Sequence, residues 1–259
     1  MPQVHSATDG TAIAFERFGQ GAPLILVVGA FSTRATGVPL AQALASECRV
    51  YTYDRRGRGA SGDGPRYAIA REVDDLAALI AEAGGTAAVF GYSSGAMLAL
   101  EAAASGLGIS RLALYDAPYA VGPWQRPDAV DHAAQLAALI QAGRRGEAVE
   151  YFQRHLVGMP EEVIVQLRQA PFRPGMEALA HTLVYDATLI GDKRLPTALA
   201  SRVRVPTLVM AGGASPFMRA AAEALAAALP AGRAHVFDGQ GHDIEPAVVG
   251  PLLATFLAG

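Results

Sequence analysis

The stretch Ala87-Ala88-Val89-Phe90-Gly91-Tyr92-Ser93-Ser94-Gly95-Ala96-Met97-Leu98 decides the fold. A four-residue apolar run of strand character enters Gly91-Tyr92-Ser93-Ser94-Gly95, and a helical pattern over 94–104 leaves it, with Ser93 at its start. The pentapeptide fits G-x-S-x-G in the strand–turn–helix context that gives the match meaning. A turn this tight leaves no room for side chains at its glycines. It forces Ser93 into a strained backbone conformation with its hydroxyl pointing out of the sheet. The following helix N-terminus favours a developing oxyanion.

Outward from this turn, strand-length apolar runs alternate with helical patterns, as in a parallel sheet covered on both faces. Strands are predicted over 24–28, 49–53, 86–90, 111–115, 207–211 and 234–237, and helices over 36–47, 68–83, 94–104, 218–228 and 247–257. Asp9-Gly10 marks a turn between residues 3–7 and a strand over 11–18. Between 119 and 203 the alternation lapses into helices punctuated by Pro123, Pro127, Pro160, Pro171, Pro174 and Pro196. The expected architecture is an α/β core, 1–118 and 204–259, interrupted by a helical cap, 119–203.

Composition excludes several classes. The chain has 259 residues, 51% of them hydrophobic and 17% charged, with a net charge of −3, so it is neither disordered nor a basic nucleic-acid binder. Its single cysteine, Cys48, permits no internal disulfide and no thiolate metal cluster, and reads as a buried small hydrophobe. The longest clean apolar run, 24–31, is far short of the roughly 20 residues of a membrane span. Met1-Pro2-Gln3-Val4-His5-Ser6 has no signal-peptide character, so a cytoplasmic location is expected.

These segments resemble the α/β-hydrolase family over nearly the whole chain. Val28-Gly29-Ala30-Phe31 stands where the family has a His-Gly-x-x turn, with Val28 in place of the histidine. Asp54-Arg55-Arg56-Gly57-Arg58-Gly59-Ala60-Ser61 resembles its Asp-x-Arg-Gly-x-Gly-x-Ser loop, and Gly239-Gln240-Gly241-His242 its catalytic histidine segment. The resemblance implies Ser93 as nucleophile and His242 as general base, since a serine hydroxyl needs an imidazole to take its proton. It also implies an oxyanion hole from the backbone N–H of Ser94 and that of Phe31 or Ala30.

The acid departs from the commonest family pattern. The strand over 207–211 runs into Gly212-Gly213-Ala214-Ser215, which offers no carboxylate. Asp116 ends the strand before it, the position used by some branches such as haloalkane dehalogenases, and is the expected triad acid. Asp238 and Asp243 are the competing carboxylates, and a Ser–His dyad is the remaining option. The 54–61 loop is expected to be structural, because Asp54 and its arginines can hydrogen-bond neighbouring loops.

Tyr92, Tyr119, Trp124 and Phe217 are the expected pocket residues, with Arg126 and Arg173 as cations that could meet a carboxylate. No metal motif and no cofactor are implied; the expected partner is a small-molecule substrate, not nucleic acid or membrane. A homodimer is compatible with the sequence. The reading is a serine hydrolase acting on an apolar ester, thioester or lactone. Its rivals are a non-hydrolytic enzyme on the same scaffold (cyclase, C–C lyase or cofactor-free haloperoxidase-like) and a ligand-binding receptor with little turnover.

Overall fold

A computed structural model of the protein describes residues 1–64, 66–125 and 130–259. Eight strands form one sheet: β1 (Gln3–His5), β2 (Ala12–Phe18), β3 (Ala22–Val27), β4 (Cys48–Tyr53), β5 (Ala87–Tyr92), β6 (Ile109–Tyr115), β7 (Thr207–Gly212) and β8 (Gly232–Phe237). Their order is β1-β2-β4-β3-β5-β6-β7-β8. The β1–β2 and β2–β4 pairs are antiparallel and the rest parallel, so the Asp9-Gly10 hairpin edges a parallel sheet.

Strand side chains alternate between two cores, as a period of two requires. Ile25, Val27, Val89, Leu112, Leu114 and Val209 belong to one core; Leu24, Leu26, Phe90, Ala113, Tyr115 and Met210 belong to the other. The first core is covered by α2 (Ile69–Glu82), α3 (Ser94–Ala104) and α10 (Pro216–Ala228), through residues such as Leu76, Leu98 and Leu225. The second is covered by α1 (Arg34–Leu44) and α11 (Pro246–Ala258), through Leu40, Leu44, Val249, Leu253 and Phe256. Near-continuous apolar strands are the sequence signature of a sheet buried on both sides. Cys48 is buried at the start of β4.

Between β6 and β7 the regular elements of the described residues are helical, among them α4 (His132–Gln141), α5 (Arg145–Phe152) continuing into a π-helical turn (Gln153–Val157), α6 (Glu161–Leu167), α7 (Arg173–Ala178), α8 (Leu183–Ile190) and α9 (Thr197–Ala200). The one departure from the helical reading is an isolated bridge, Ala120 to Arg194. Helix α8 packs on α2 and α3, and Phe152 meets Phe31 edge-on at 5.3 Å, so these helices lie against the carboxyl ends of the strands. Among the described residues no helix is long and apolar enough to cross a membrane.

Candidate active site

Ser93 joins β5 to α3 with φ 57° and ψ −128°, which makes it the N-cap, one residue before the helix proper. Such a conformation is costly for a residue with a Cβ and persists only where the surroundings enforce it. They do so here. A Cβ on Gly91 would lie 2.6 Å from the Ala96 Cα, and one on Gly95 would run into the Val27 carbonyl oxygen. A Cβ on Gly29 would lie 2.8 Å from that of Ser93, so the 28–31 turn is seated directly against the serine.

Asp116 follows β6, one strand over, also at positive φ (49°) and 1% exposed. Its backbone N–H donates to the Met210 carbonyl at 2.9 Å, and the Ser93 N–H donates to the Tyr115 carbonyl at 2.9 Å, so β5, β6 and β7 share one register at this edge. Oδ1 accepts the Gly212 N–H at 3.0 Å; Oδ2 meets His242 Nδ1 at 2.9 Å. With Nδ1 as donor, His242 carries its second nitrogen, Nε2, as an acceptor. The competing carboxylates do not hold the ring: Asp238 is exposed beside Arg219 at 3.2 Å, and Asp243 is exposed and makes no hydrogen bond to the ring among the described residues.

The histidine loop is held from below. Tyr115 donates its hydroxyl to the Gly241 carbonyl at 3.0 Å, and the Ala214 N–H donates to Gln240 at 2.9 Å. A Cβ on Gly212 would come within 2.8 Å of the Gln240 carbonyl oxygen. The end of β7, where the common pattern has a carboxylate, is therefore glycine because the histidine loop packs on its backbone. Tyr92 sits 5.0 Å from the His242 ring, centroid to centroid. Burial, aided by Asp243 and Asp116, pushes its phenol up. Burial and the same carboxylates, with Asp116 ahead of Asp243, push Tyr115 up to about 12. The His242 side chain is 44% exposed, and its ring makes no hydrogen bond to Ser93 Oγ among the described residues. In unliganded enzymes this contact commonly tightens only when substrate arrives.

The 28–32 turn is fixed through its carbonyls. Arg55 Nη1 donates to Val28 at 3.3 Å, Arg58 Nη1 to Gly29 at 2.5 Å, and Ser32 Oγ to Ala30 at 3.2 Å. Phe31 has φ 58°. The backbone N–H groups of Phe31 and Ser94 enter no hydrogen bond among the described residues. Asp54 accepts from the Arg34 N–H, the Arg34 guanidinium and the Ala60 N–H, which ties the 54–61 loop to the start of α1.

One residue was invisible to sequence reasoning. Asp186, fully buried on α8, accepts from Arg55 at 2.8 Å, Arg58 at 2.7 Å and the Ser94 hydroxyl at 2.8 Å. Burial pushes its carboxyl up, but Arg58, Arg55 and Ser94 outweigh that and hold it below the ordinary value. The only sequence signal is three arginines in one apolar-flanked loop, which demands buried acids without saying which.

Of the expected pocket residues, Tyr119 is 3% exposed and packed in the main core. Trp124 and Phe217 meet edge-on at 6.1 Å. An open cleft of about 720 Å³ lies beside the turn, lined by Phe31, Thr33, Gly57, Phe172, Met176 and Leu179. Arg173 is committed to Glu177 at 2.6 Å and Glu150 at 3.2 Å; Arg126 lies outside the described residues.

Solved structures share this fold over nearly the whole chain. A solved alpha/beta hydrolase from Sphaerobacter thermophilus is 51% identical, with 99% of this chain and 100% of that one covered at a TM-score of 0.93. A thermophilic esterase from Thermogutta terrifontis, solved with malate bound, is 25% identical over 99% of this chain and 96% of its own, at a TM-score of 0.72. N-formylmaleamate deformylase from Pseudomonas putida is 38% identical over 112 residues; the match spans 42% of this chain and only 41% of that protein. The model of the Alpha/beta hydrolase family matches residues 24–249, from β3 into α11 and through every segment of the site described above, and the chain belongs to that family.

Proposed function

We propose that the protein is a serine hydrolase cleaving small or medium apolar carboxylic esters, thioesters or lactones through an acyl-enzyme. The observation that carries this reading is the Asp116–His242 hydrogen bond at 2.9 Å, on the sheet edge where Ser93 is held at positive φ. Ser93 Oγ attacks the carbonyl carbon while His242 Nε2 takes its proton. The N–H groups of Ser94 and Phe31, with Ala30 as the neighbouring donor, receive the charge that moves onto the carbonyl oxygen. Collapse expels the leaving group, protonated by the imidazolium, and leaves the acyl group on Ser93. Water, deprotonated by the same nitrogen, attacks the acyl-enzyme, and a second collapse releases the acid and restores Ser93. Asp116 stabilises the imidazolium in both halves without becoming protonated.

Residues 119–203 serve as the cap over this edge. The cleft beside Phe31, with Phe172, Met176 and Leu179 in its wall, suits an aliphatic or aromatic acyl chain. Arg173 is occupied by two glutamates, which favours uncharged substrates over acids. The partial likeness to a deformylase favours one second reading, hydrolysis of an N-acyl amide by the same steps with an amine leaving.

A series of p-nitrophenyl esters of increasing chain length, run beside fluorophosphonate labelling, tests the assignment. Steady p-nitrophenol release, with label on Ser93 and none on the Ser93→Ala variant, is expected. Labelling without turnover points to a non-hydrolytic enzyme or receptor. Absence of both overturns the nucleophile assignment.

A further inference from the structure

Asp186 stands outside the Ser93–His242–Asp116 set, yet its hydrogen bonds lead to both sources of the oxyanion donors. Its Oδ1 accepts from the hydroxyl of Ser94, whose backbone N–H is one donor, at 2.8 Å. The same oxygen accepts Arg55 Nη1 at 2.8 Å, and Oδ2 accepts Arg58 Nη2 at 2.7 Å. Those two guanidiniums continue to the other donor segment: Arg55 to the Val28 carbonyl at 3.3 Å, Arg58 to Gly29 at 2.5 Å and Ser32 at 3.3 Å.

The consequence for the turn follows from peptide planarity. In a trans peptide the N–H points opposite to the C=O it follows, so pinning a carbonyl aims the next N–H. With the Gly29 carbonyl drawn to Arg58, the Ala30 N–H faces the other way; with the Ala30 carbonyl drawn to Ser32 Oγ, so does that of Phe31. Arg55 is itself fixed by a bidentate pair with Glu72 at 2.7 and 2.6 Å, so it has little freedom to follow a displaced turn. A tether between α8 and the core would be complete with the two arginines. The third bond, to Ser94, ties the carboxylate to the first turn of the nucleophile helix as well.

We propose that Asp186 is a positioning residue for hydrolysis: it links the nucleophile-helix N-terminus and the 28–32 turn into one rigid unit, so that docking of cap helix α8 and assembly of the oxyanion hole are one event. The proposal rests on the hydrolase reading above. Asp186 touches no reacting atom, and its effect passes through the aim of backbone N–H groups made by others.

The test uses the 259-residue chain, its Ser94→Ala and Asp186→Asn variants, and a matched pair of substrates, a p-nitrophenyl ester and its thiono analogue. Ser94→Ala keeps the backbone N–H and deletes only the link. The larger, weaker-accepting sulfur gains less from an oxyanion hole, so the preference for the oxo ester reports the aim of the donors and is insensitive to simple loss of folded protein. Misaiming donors costs less than deleting one, so kcat on the oxo ester is expected to fall about 10-fold in Ser94→Ala and about 100-fold in Asp186→Asn. KM should stay within about twofold, and the oxo-over-thiono preference should shrink alongside kcat.

Parental kcat and preference in Ser94→Ala would overturn the proposal. So would a loss of rate in which the preference stays parental, since that is what a merely structural tether gives. If Asp186→Asn does not fold, Ser94→Ala decides alone. A parent that labels on Ser93 and turns over the oxo ester, beside an indifferent Ser94→Ala, leaves the hydrolase standing and removes Asp186 from its machinery; a parent that does neither removes both.

Discussion

Among the described residues four that are not glycine hold positive φ: Phe31, Ser93, Asp116 and Lys193. Three of them sit at the carboxyl edge of β3, β5 and β6, which is where strain is expected to concentrate when backbone must be aimed at a reacting group. Asp116 shows how closely such a residue is specified. Its Oδ1 is occupied by the Gly212 N–H, which leaves Oδ2 alone to meet His242. In Asp116→Asn the same Gly212 N–H would keep the amide oxygen at the Oδ1 position and turn the –NH2 towards Nδ1. The ring would then have to accept at Nδ1 and carry its proton on Nε2, the tautomer that cannot take a proton from Ser93. Turnover is expected to fall by up to about 10⁴-fold, with a melting temperature near that of the parent. Ester turnover within a few-fold of the parent would show that another group orients the ring. The aspartate itself was legible in the sequence because it ends an apolar strand next to one that ends in glycines. Which of its oxygens faces the imidazole depends on β7 backbone, and no local pattern encodes that.

At the scale of the element, two glycines that look alike in sequence carry opposite burdens. Gly95, in the first turn of α3, faces the backbone of β3: an added Cβ would strike the Val27 carbonyl and lie 2.7 Å from that of Val28. Backbone in a central strand cannot yield, so Gly95→Ala should push α3 off the sheet and cost about 1–3 kcal/mol or more in urea denaturation. Gly29 faces the nucleophile itself, with an added Cβ 2.8 Å from that of Ser93, 3.1 Å from the Tyr92 carbonyl oxygen and 3.3 Å from Ser93 Oγ. Gly29→Ala should therefore lower turnover more sharply than Gly95→Ala for the stability it costs, because the Ser93 Cβ is fixed by its backbone and the nucleophile turn itself must shift. The reverse partition, a stable Gly95→Ala and an unfolded Gly29→Ala, would contradict the packing described for this turn. Strand and helix periodicities made nearly every core element readable, since a sheet buried on both faces writes apolar runs of fixed length. Helix α8 was only part of an undivided helical stretch in that reading. Asp186 lies among Leu183, Ala187, Leu189 and Ile190, so its partners are set entirely by the packing of α8 against a loop some 130 residues earlier.

The whole molecule carries an unusual density of buried charge for a chain only 17% charged. Arg55, Arg56 and Arg58 are each 1% exposed, and they are matched by Glu72, Asp75 and Asp186. Composition could not reveal this, because it counts charges without saying which are inside. The cluster should give the protein a two-part acid profile. Asp186 and the more exposed Asp9 are held below the ordinary carboxylate value, the first by Arg58 and Arg55 against burial, the second by its hydrogen bonds with Thr11 and Arg56. For such groups the unfolded chain binds more protons in the window below the ordinary value. Their stabilisation is complete above about 4 and is lost as pH falls through the lower folded values. Asp75 has the opposite sign: burial pushes it up from 3.8 to about 6 despite its bidentate partner Arg56. Across that interval the folded state holds the extra proton, so stability falls as pH rises. The urea midpoint of the parent should accordingly fall as pH rises from about 4 to about 6 and drop again as pH is lowered below about 4, with its maximum near 4. In Asp75→Asn Arg56 loses its bidentate partner and keeps Asp9, which lowers stability at every pH, but the opposing group is gone. Its midpoint relative to the parent should therefore climb as pH rises from about 4 to about 6, and that slope rather than the offset is the test. Parallel curves for parent and variant across the interval would mean that Asp75 is ionised in the fold as readily as in the unfolded chain, with Arg56 fully offsetting the cost of its burial.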